Sequence, residues 1–447
     1  MNKKFLSNFS LSVAMLSLFA SITACGVNQP KYEKIVQDSS ESVEEKSTDG
    51  TSTDVYILPQ KLENPDLVIV WDCSEETWNQ MKEADDNAFN LVWTTKEAFE
   101  KMYGGTVTVI AVEWGEMMNQ TISMVDNGEI CDLVQANDQN FPKYAVGGYV
   151  QDVSKYVDLS DDFWYSNVTQ AFTFGGIPYA MGDDANPVVI SYNKTLFEEK
   201  GVKTPREYFE ENNWNWDTFK EVAMKMTEDK DGDGTPEVYG FGWWDSFWVQ
   251  MLATNGTTGL VYDKDGSIKT NFLSDEAQQT FEFIENAYVK DKFIKKTDGD
   301  SFINDFKTGK LVMTCEYGFA AKTAYESEYE IDWAPLPSGP SAEEYSCGGS
   351  VNGFAIPSTS KNPEGAAAFA RMAYELQIDY NRRQRVEKFG LQDVDLMNEL
   401  AKYIKFSPIG VANYWDTQSV IADGLINGKS IDEFSKKADK LIQDGNK

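Results

Sequence analysis

The chain has no histidine among its 447 residues. Every Ser-His, Cys-His and zinc-His arrangement is thereby excluded, and so is the side chain best suited to proton transfer near neutral pH. Catalysis would have to rest on carboxylates, lysine or tyrosine. Cysteine is scarce, five residues with no C-x-x-C spacing, which argues against a metal or redox site. Basic residues are outnumbered, 40 Lys and Arg against 72 Asp and Glu, for a net charge of -32. Such a surface repels nucleic acid and anionic lipid headgroups, so neither is expected as a partner. Long apolar runs are missing as well. The stretch from Phe5 to Ala20 is broken by serines and Asn8, and is too short and polar for a transmembrane helix.

What is present begins at the N-terminus. Lys3 and Lys4 precede that apolar stretch, and small residues flank Cys25, a secretory pattern. A cysteine directly after Ile22-Thr23-Ala24 resembles the bacterial lipobox, in which the thiol is acylated and the leader removed. Residues 1–24 are then a lipoprotein signal peptide, and Cys25 carries palmitate-type chains that tie the protein to the outer face of the cell membrane. The alternative is an ordinary signal peptide with an incidental cysteine. Residues 25–65 read as a flexible acidic tether, because Gly26 to Asp54 holds too few large apolar residues to offset the entropy of ordering. A coil of about 30 residues reaches roughly 30 Å. Cys73, Cys131, Cys315 and Cys347 remain in the body, and outside the cell either disulfides or buried free thiols suit them.

The body, with 41% hydrophobic and 13% aromatic residues over the chain, has a globular composition. It opens with the apolar run Leu67–Trp71, a helix pattern from Phe89 to Tyr103 ended by Gly104-Gly105, and a strand pattern from Val107 to Val112. A helix through Met117 to Val125 and the run Cys131–Val134 follow. Strand, helix, strand, helix, strand with short glycine-marked joints predicts a parallel sheet with crossover helices. Ligands of such sheets sit beyond the carboxyl ends of the strands, here Asp72–Ser74, Glu113–Glu116 and Gln135–Asp138. Further on, Val188–Tyr192 reads as a strand and Trp216–Met226 as a helix capped by Asn215. Strands at Leu311–Cys315 and Gly353–Ile356 and helices at Phe272–Val289, Glu364–Leu376 and Ile431–Ile442 complete the pattern.

The order of segments resembles the family 1 extracellular solute-binding proteins, the lipid-anchored sugar receptors of bacterial ATP-driven importers. The match is carried by Gly128-Glu129-Ile130-Cys131-Asp132-Leu133, Gly148–Val153, Gly176–Met181, Ser191-Tyr192-Asn193-Lys194, Trp216-Asp217-Thr218-Phe219, Phe306–Lys310, Ala334-Pro335-Leu336-Pro337, Gly353–Pro357 and Lys361–Ala367. It spans roughly 66–443. The resemblance implies an α/β fold of the type II periplasmic-binding-protein kind, two lobes each with a mainly parallel sheet flanked by helices, joined by a multi-strand hinge. One lobe would combine 66–184 with 352–405, the other 185–351 with 406–447. It further implies a monomer, no enzyme activity, no required cofactor, and delivery of solute from the interlobe cleft to a membrane permease. The only membrane contact of the receptor itself is the anchor, and a tethered receptor suits a Gram-positive-type envelope.

A sugar needs flat apolar faces for its C–H side and planar polar groups for its hydroxyls. Trp114 lies between Glu113 and Glu116, and Trp244 lies in the dense cluster Trp243–Trp248. Tyr414 and Trp415 match the aromatic pair that stacks on sugar in family members, Phe319 matches a further stacking position, and Glu316 stands just before it. Asp138 matches a hydroxyl-binding acid, Asn186 a polar contact of the hinge strand, and Asp184 adds an acid nearby. Trp71, Trp78, Trp93, Trp333, Trp214 and Trp216 read as packing residues. The run Asp229–Glu237 resembles the front of an EF-hand calcium loop, with oxygen ligands at Asp229, Asp231, Asp233 and Glu237 and Gly234 permitting the turn. Position twelve is Gly240, so the bidentate glutamate is missing and a solvated turn is the alternative to structural calcium. The expected function is capture of a carbohydrate, an oligosaccharide above all. A polyamine or peptide in the same fold, or a secreted two-carboxylate glycoside hydrolase, are the competing readings.

Overall fold

The computed structural model describes residues 58–83, 91–113, 115–160, 163–164, 166–263, 266–322 and 327–446. Cys25, the signal segment, most of the tether and Trp114 lie outside the described residues. Asp184 and Phe319 are described in backbone only.

Eight strands form one sheet: β1 (Leu67–Asp72), β2 (Val107–Val112), β3 (Leu133–Ala136), β4 (Ala180–Asn193), β5 (Tyr239–Phe241), β6 (Leu311–Tyr317), β7 (Ile331–Pro335) and β8 (Gly349–Ala355). The spatial order is β2-β1-β3-β8-β4-β6-β5, with β7 also on β4. The pairs β1·β2, β1·β3 and β5·β6 are parallel, as the strand–helix alternation predicts. Strand β4 joins the halves. Its first part pairs antiparallel with β8, from Ala180↔Ala355 to Pro187↔Gly349. Its second part pairs with β6 (Val188↔Tyr317) and β7 (Val189↔Pro335). The apolar pattern locates only Val188–Tyr192 of this strand. Gly182 to Pro187 lacks any period, yet the backbone continues extended because β8 pairs along it.

The helices include α1 (Leu91–Tyr103), α2 (Trp216–Met226), α3 (Phe247–Thr254), α4 (Pro363–Phe389), α5 (Leu391–Ala401) and α6 (Tyr414–Ile426). Helix α2 starts as expected, the Asn215 side chain accepting hydrogen bonds from the N–H groups of Asp217 and Thr218. Helix α4 runs to Phe389 rather than ending near Leu376. Its first turns pack an alanine-rich face, Ala366 to Ala370, into a core with Phe99, Val107, Leu133 and Phe354. Small side chains there let helix and sheet approach closely, and Phe99 meets Phe369 at 5.6 Å between ring centres. A larger core gathers Trp214, Phe219, Phe241, Met313, Trp333 and Ile421. Trp71, Trp78, Trp214, Trp216 and Trp333 are all buried, and Trp93 packs half-buried on Trp78. The four body cysteines are buried free thiols.

Helix α5 is tied to the β6–β7 side of the sheet. Asp393 accepts from Trp333 Nε1 at 2.9 Å and forms ion pairs with Arg206 at 3.2 Å and Lys322 at 2.9 Å. No helix among the described residues is long and apolar enough to cross a membrane.

Candidate functional site

A cavity of about 620 Å³ opens beside β4 where the two halves of the sheet meet. Its walls come from segments far apart in sequence: Asn137 and Asp138 after β3, Trp244 to Ala253 around α3, Tyr317 at the end of β6, Gly348 to Asn352 on β8, and Lys405 to Gln418 leading into α6. Four of the nine residues expected to bind ligand come together here: Asp138, Trp244, Tyr414 and Trp415.

The acid comes first. Strand β3 ends at Ala136, and the next turn is pinned by Asn137, whose Oδ1 accepts from the N–H groups of Gln139 and Asn140 at 3.0 and 3.1 Å. Asp138 is thereby held half-buried at the strand end, and its carbonyl accepts from Ile409 N–H at 3.0 Å. Burial pushes its carboxyl up to about 6. Burial likewise pushes the Tyr317 phenol up to about 12, and the charge of Asp138 adds to the shift. The Tyr414 phenol is raised well above its ordinary range, by burial first and by Asp138 second. One carboxylate and two phenols therefore share a desolvated corner.

The aromatic faces are on the other wall. Trp415 is 58% exposed although it is a large apolar side chain, and it stands edge-on to buried Tyr414 with ring centres 5.2 Å apart. A tryptophan so exposed on a cavity wall is a face awaiting a partner. Trp243 is buried, so its neighbour Trp244 is the ring left to the cavity. Trp244 is held by Trp243 at 5.0 Å, by Phe302 at 5.5 Å and by donating its Nε1–H to Asp300 at 2.8 Å. Trp248 is buried as well.

The remaining expected residues fall elsewhere. Asn186, in register with Ser350, is not in the lining and has a buried Oδ1 with no partner. Glu316 is not in the lining; its Oε1 accepts from the Tyr317 N–H at 2.8 Å. Of the three predicted strand ends, only the one after β3 contributes. Asp72 and Glu113 face one another at the ends of β1 and β2, where burial and then the charge of Glu113 raise the Asp72 carboxyl.

Several lining residues were not anticipated. Asp245 accepts from Gln418 Nε2 at 2.7 Å, which clamps the start of α3 to α6. Gln418 stands four residues after Tyr414, so helical spacing was the available signal. Gln250 brings a buried, unpartnered Oε1 to the wall, and a Cβ on Gly348 would lie only 1.7 Å from it. A side chain there would have to push the Gln250 amide aside. Lys405 is the sole lysine or arginine of the lining among the described residues.

A second cavity, about 630 Å³, lies behind the segment that leads into α6. Phe406 and Pro408 face it, Ser407 and Ile409 face the first, and Lys405 and Thr258 border both. It contains none of the expected ligand residues and no tryptophan. The first cavity is therefore the better candidate, despite the nearly equal volumes.

The Asp/Gly loop brings ligating oxygens of Asp229, Asp231 and Glu237 within 4.8 Å of one another, all exposed, while Asp233 is outside this group. Three hard oxygen donors match what calcium prefers, though they are fewer than the six to eight it normally takes. Asp229 already accepts from the N–H groups of Gly232 and Gly234, and Glu237 from Lys230, so the turn is also held without an ion.

Residues 83–375 match the family described as bacterial extracellular solute-binding protein. The chain belongs to that family. A curated binding protein of Brucella abortus (strain 2308) is 24% identical over 261 residues, 55% of this chain and 59% of that protein. The chain thus spans less than two thirds of the length of this relative. Among solved structures, an ABC substrate-binding protein of Listeria monocytogenes in complex with cycloalternan superposes with a TM-score of 0.63 at 18% identity, covering 86% of this chain and 99% of that one. A cyclo/maltodextrin-binding protein complexed with maltotetraose gives 0.66 at 17%, covering 86% and 97%. A galacto-N-biose/lacto-N-biose I-binding protein from Bifidobacterium longum, in complex with lacto-N-biose, gives 0.64 at 16%, covering 85% and 96%. At these identities the likeness establishes the two-lobe fold of this solute-binding protein.

Proposed function

We propose that this solute-binding protein captures an oligosaccharide in the cleft and delivers it to the permease of an ABC importer, without chemical change. The observation that carries the reading is the convergence of a desolvated acid, Asp138, with the indole faces of Trp244 and Trp415 in one cavity. An acid to accept from hydroxyls and flat faces to cover C–H surfaces are what a pyranose requires. The sugar complexes of the superposed proteins support the same ligand class. In this proposal Cys25 anchors the receptor outside the cell, the tether gives it reach, and it acts as a monomer. Asp393 binds helix α5 to Trp333, Arg206 and Lys322, all in the segment assigned to the second lobe.

The test is a thermal-shift screen of the body, residues 58–447, against hexose tetrasaccharides, with spermidine and tripeptides in parallel. Stabilisation by about 2.7 kcal/mol is expected at one hundred times the dissociation constant of a bound sugar. A shift with spermidine or peptide and with no sugar would refute the carbohydrate reading. Release of reducing ends from a polysaccharide would refute the absence of catalysis.

A further inference from the structure

The groups that the cavity leaves unsatisfied are nearly all acceptors. No ion pair reaches Asp138 among the described residues; its near neighbours are the phenols of Tyr317 and Tyr414. Asp245 is matched by the neutral amide of Gln418. Gln250 buries a side-chain carbonyl oxygen in the lining with no donor. Two helices begin at the cavity, and their positive ends would ordinarily favour an anion. Here acids of the chain stand close by: Asp245 two residues ahead of α3, bonded to Gln418, and Asp416 in the first turn of α6. Lys405 opposes this balance alone, on the wall shared with the second cavity. A single ammonium offers a point charge and lacks the fork with which arginine holds a carboxylate or phosphate.

Resting on the carbohydrate reading, we propose that the cleft admits uncharged sugars and turns away sugars bearing a carboxylate, sulfate or phosphate, with Asp138 as the selecting residue. A hydroxyl donates to Asp138 or Gln250 and still accepts from a serine or tyrosine. An anionic group only accepts, so it leaves those oxygens unpaired and sets a second negative charge beside Asp138 in a desolvated corner. Selection of this kind works by building a penalty against the wrong ligand.

The experiment takes the hexose tetrasaccharide with the largest thermal shift and compares three forms by calorimetric titration: the sugar itself, the sugar with its primary alcohols oxidised to carboxylates, and the methyl ester of that acid. Rejection by charge predicts that the acid binds about 100-fold more weakly, that the ester returns to within about tenfold of the parent, and that Asp138→Asn narrows the gap between acid and parent to about tenfold. An acid that binds like its parent overturns the selection. An ester as weak as the acid overturns the charge argument in favour of size. A gap unchanged in Asp138→Asn, with the variant's melting curve confirming its fold, overturns the role of Asp138. If no hexose tetrasaccharide binds the unaltered protein, the carbohydrate reading itself falls, and the selection with it.

Discussion

The wall of the cleft that follows β3 presents a carboxylate, whereas the wall built on α3 and α6 presents rings. Asp138 is held by the turn around Asn137 and by the chain entering α6, and its fixed, poorly solvated carboxyl defines a direction. Trp244 and Trp415 define planes, one braced by Trp243, Phe302 and Asp300 and the other largely open. A carboxylate positions hydroxyls but supplies little apolar area, and a ring supplies area with little orientation. Neither wall suffices alone, so the proposed capture needs the two together across the cavity.

The comparison is broken most severely by removing the open ring. Trp415→Ala is expected to weaken sugar binding about 100-fold, a central-anchor loss, while the melting temperature stays within about 1 °C because the ring contributes little to the core. Titration calorimetry beside a melting curve decides it, and unchanged affinity would sink the assigned role. Next is the junction of the walls. Gly348→Ala places a Cβ 1.7 Å from the Gln250 oxygen and must displace that amide. A loss of about tenfold in affinity is expected from the lost contact, and an unaltered dissociation constant would show that Gln250 does not meet the ligand.

The acid wall gives a third, subtler outcome. The Asp138 carboxyl is pushed up to about 6 in the folded protein, so the folded state holds the proton more tightly than the unfolded chain. Its contribution to stability is present at pH below 4 and is lost as pH rises through about 6, a cost of up to about 3 kcal/mol at neutral pH. The phenols of Tyr317 and Tyr414 that face it stay neutral across this window. Asp138→Asn should therefore raise the melting temperature at pH 7.5 while weakening sugar binding about tenfold, and the gain should vanish near pH 4. A variant that melts lower at pH 7.5 contradicts this account. The smallest effect lies away from both walls. Calcium at ten times its dissociation constant should stabilise the protein by about 1.4 kcal/mol, and Asp231→Asn should remove the increment. No calcium-dependent shift in the unaltered protein would leave the loop a plain turn.

Much of the secondary structure was legible because local rules suffice for it. Asn215 followed by Trp216 to Met226 carries its own cap and period, and the helix occupies those residues. Strand β4 was legible only where Val188 to Tyr192 is apolar on both faces; its polar half is extended because β8 bonds to it, a contact no local window contains. Helix α4 passes the expected end at Leu376 because the polar run that follows keeps good helix formers without an apolar stripe. In the site, aromatic residues beside acids drew attention to Trp244, Tyr414, Trp415 and Asp138. Gly348, Gln250 and Lys405 carry no such mark, since each acquires its place from a segment distant in sequence.

The amino-acid sequence by itself determined what chemistry is unavailable, with histidine absent and acids in excess, and it determined the order of strands and helices through periodicity and capping. It could not choose between Trp243 and Trp244, or among strand ends that all carry acids. Only the tertiary structure decided that Trp243 is buried while Trp244 lines the cavity, and that Asp138 reaches the cleft while Asp72 and Glu113 do not. The reason is physical. Periodicity is set by neighbours within a turn or a pleat, whereas a cleft is assembled by the pairing of distant strands, and which side chain is left facing it is settled by that pairing.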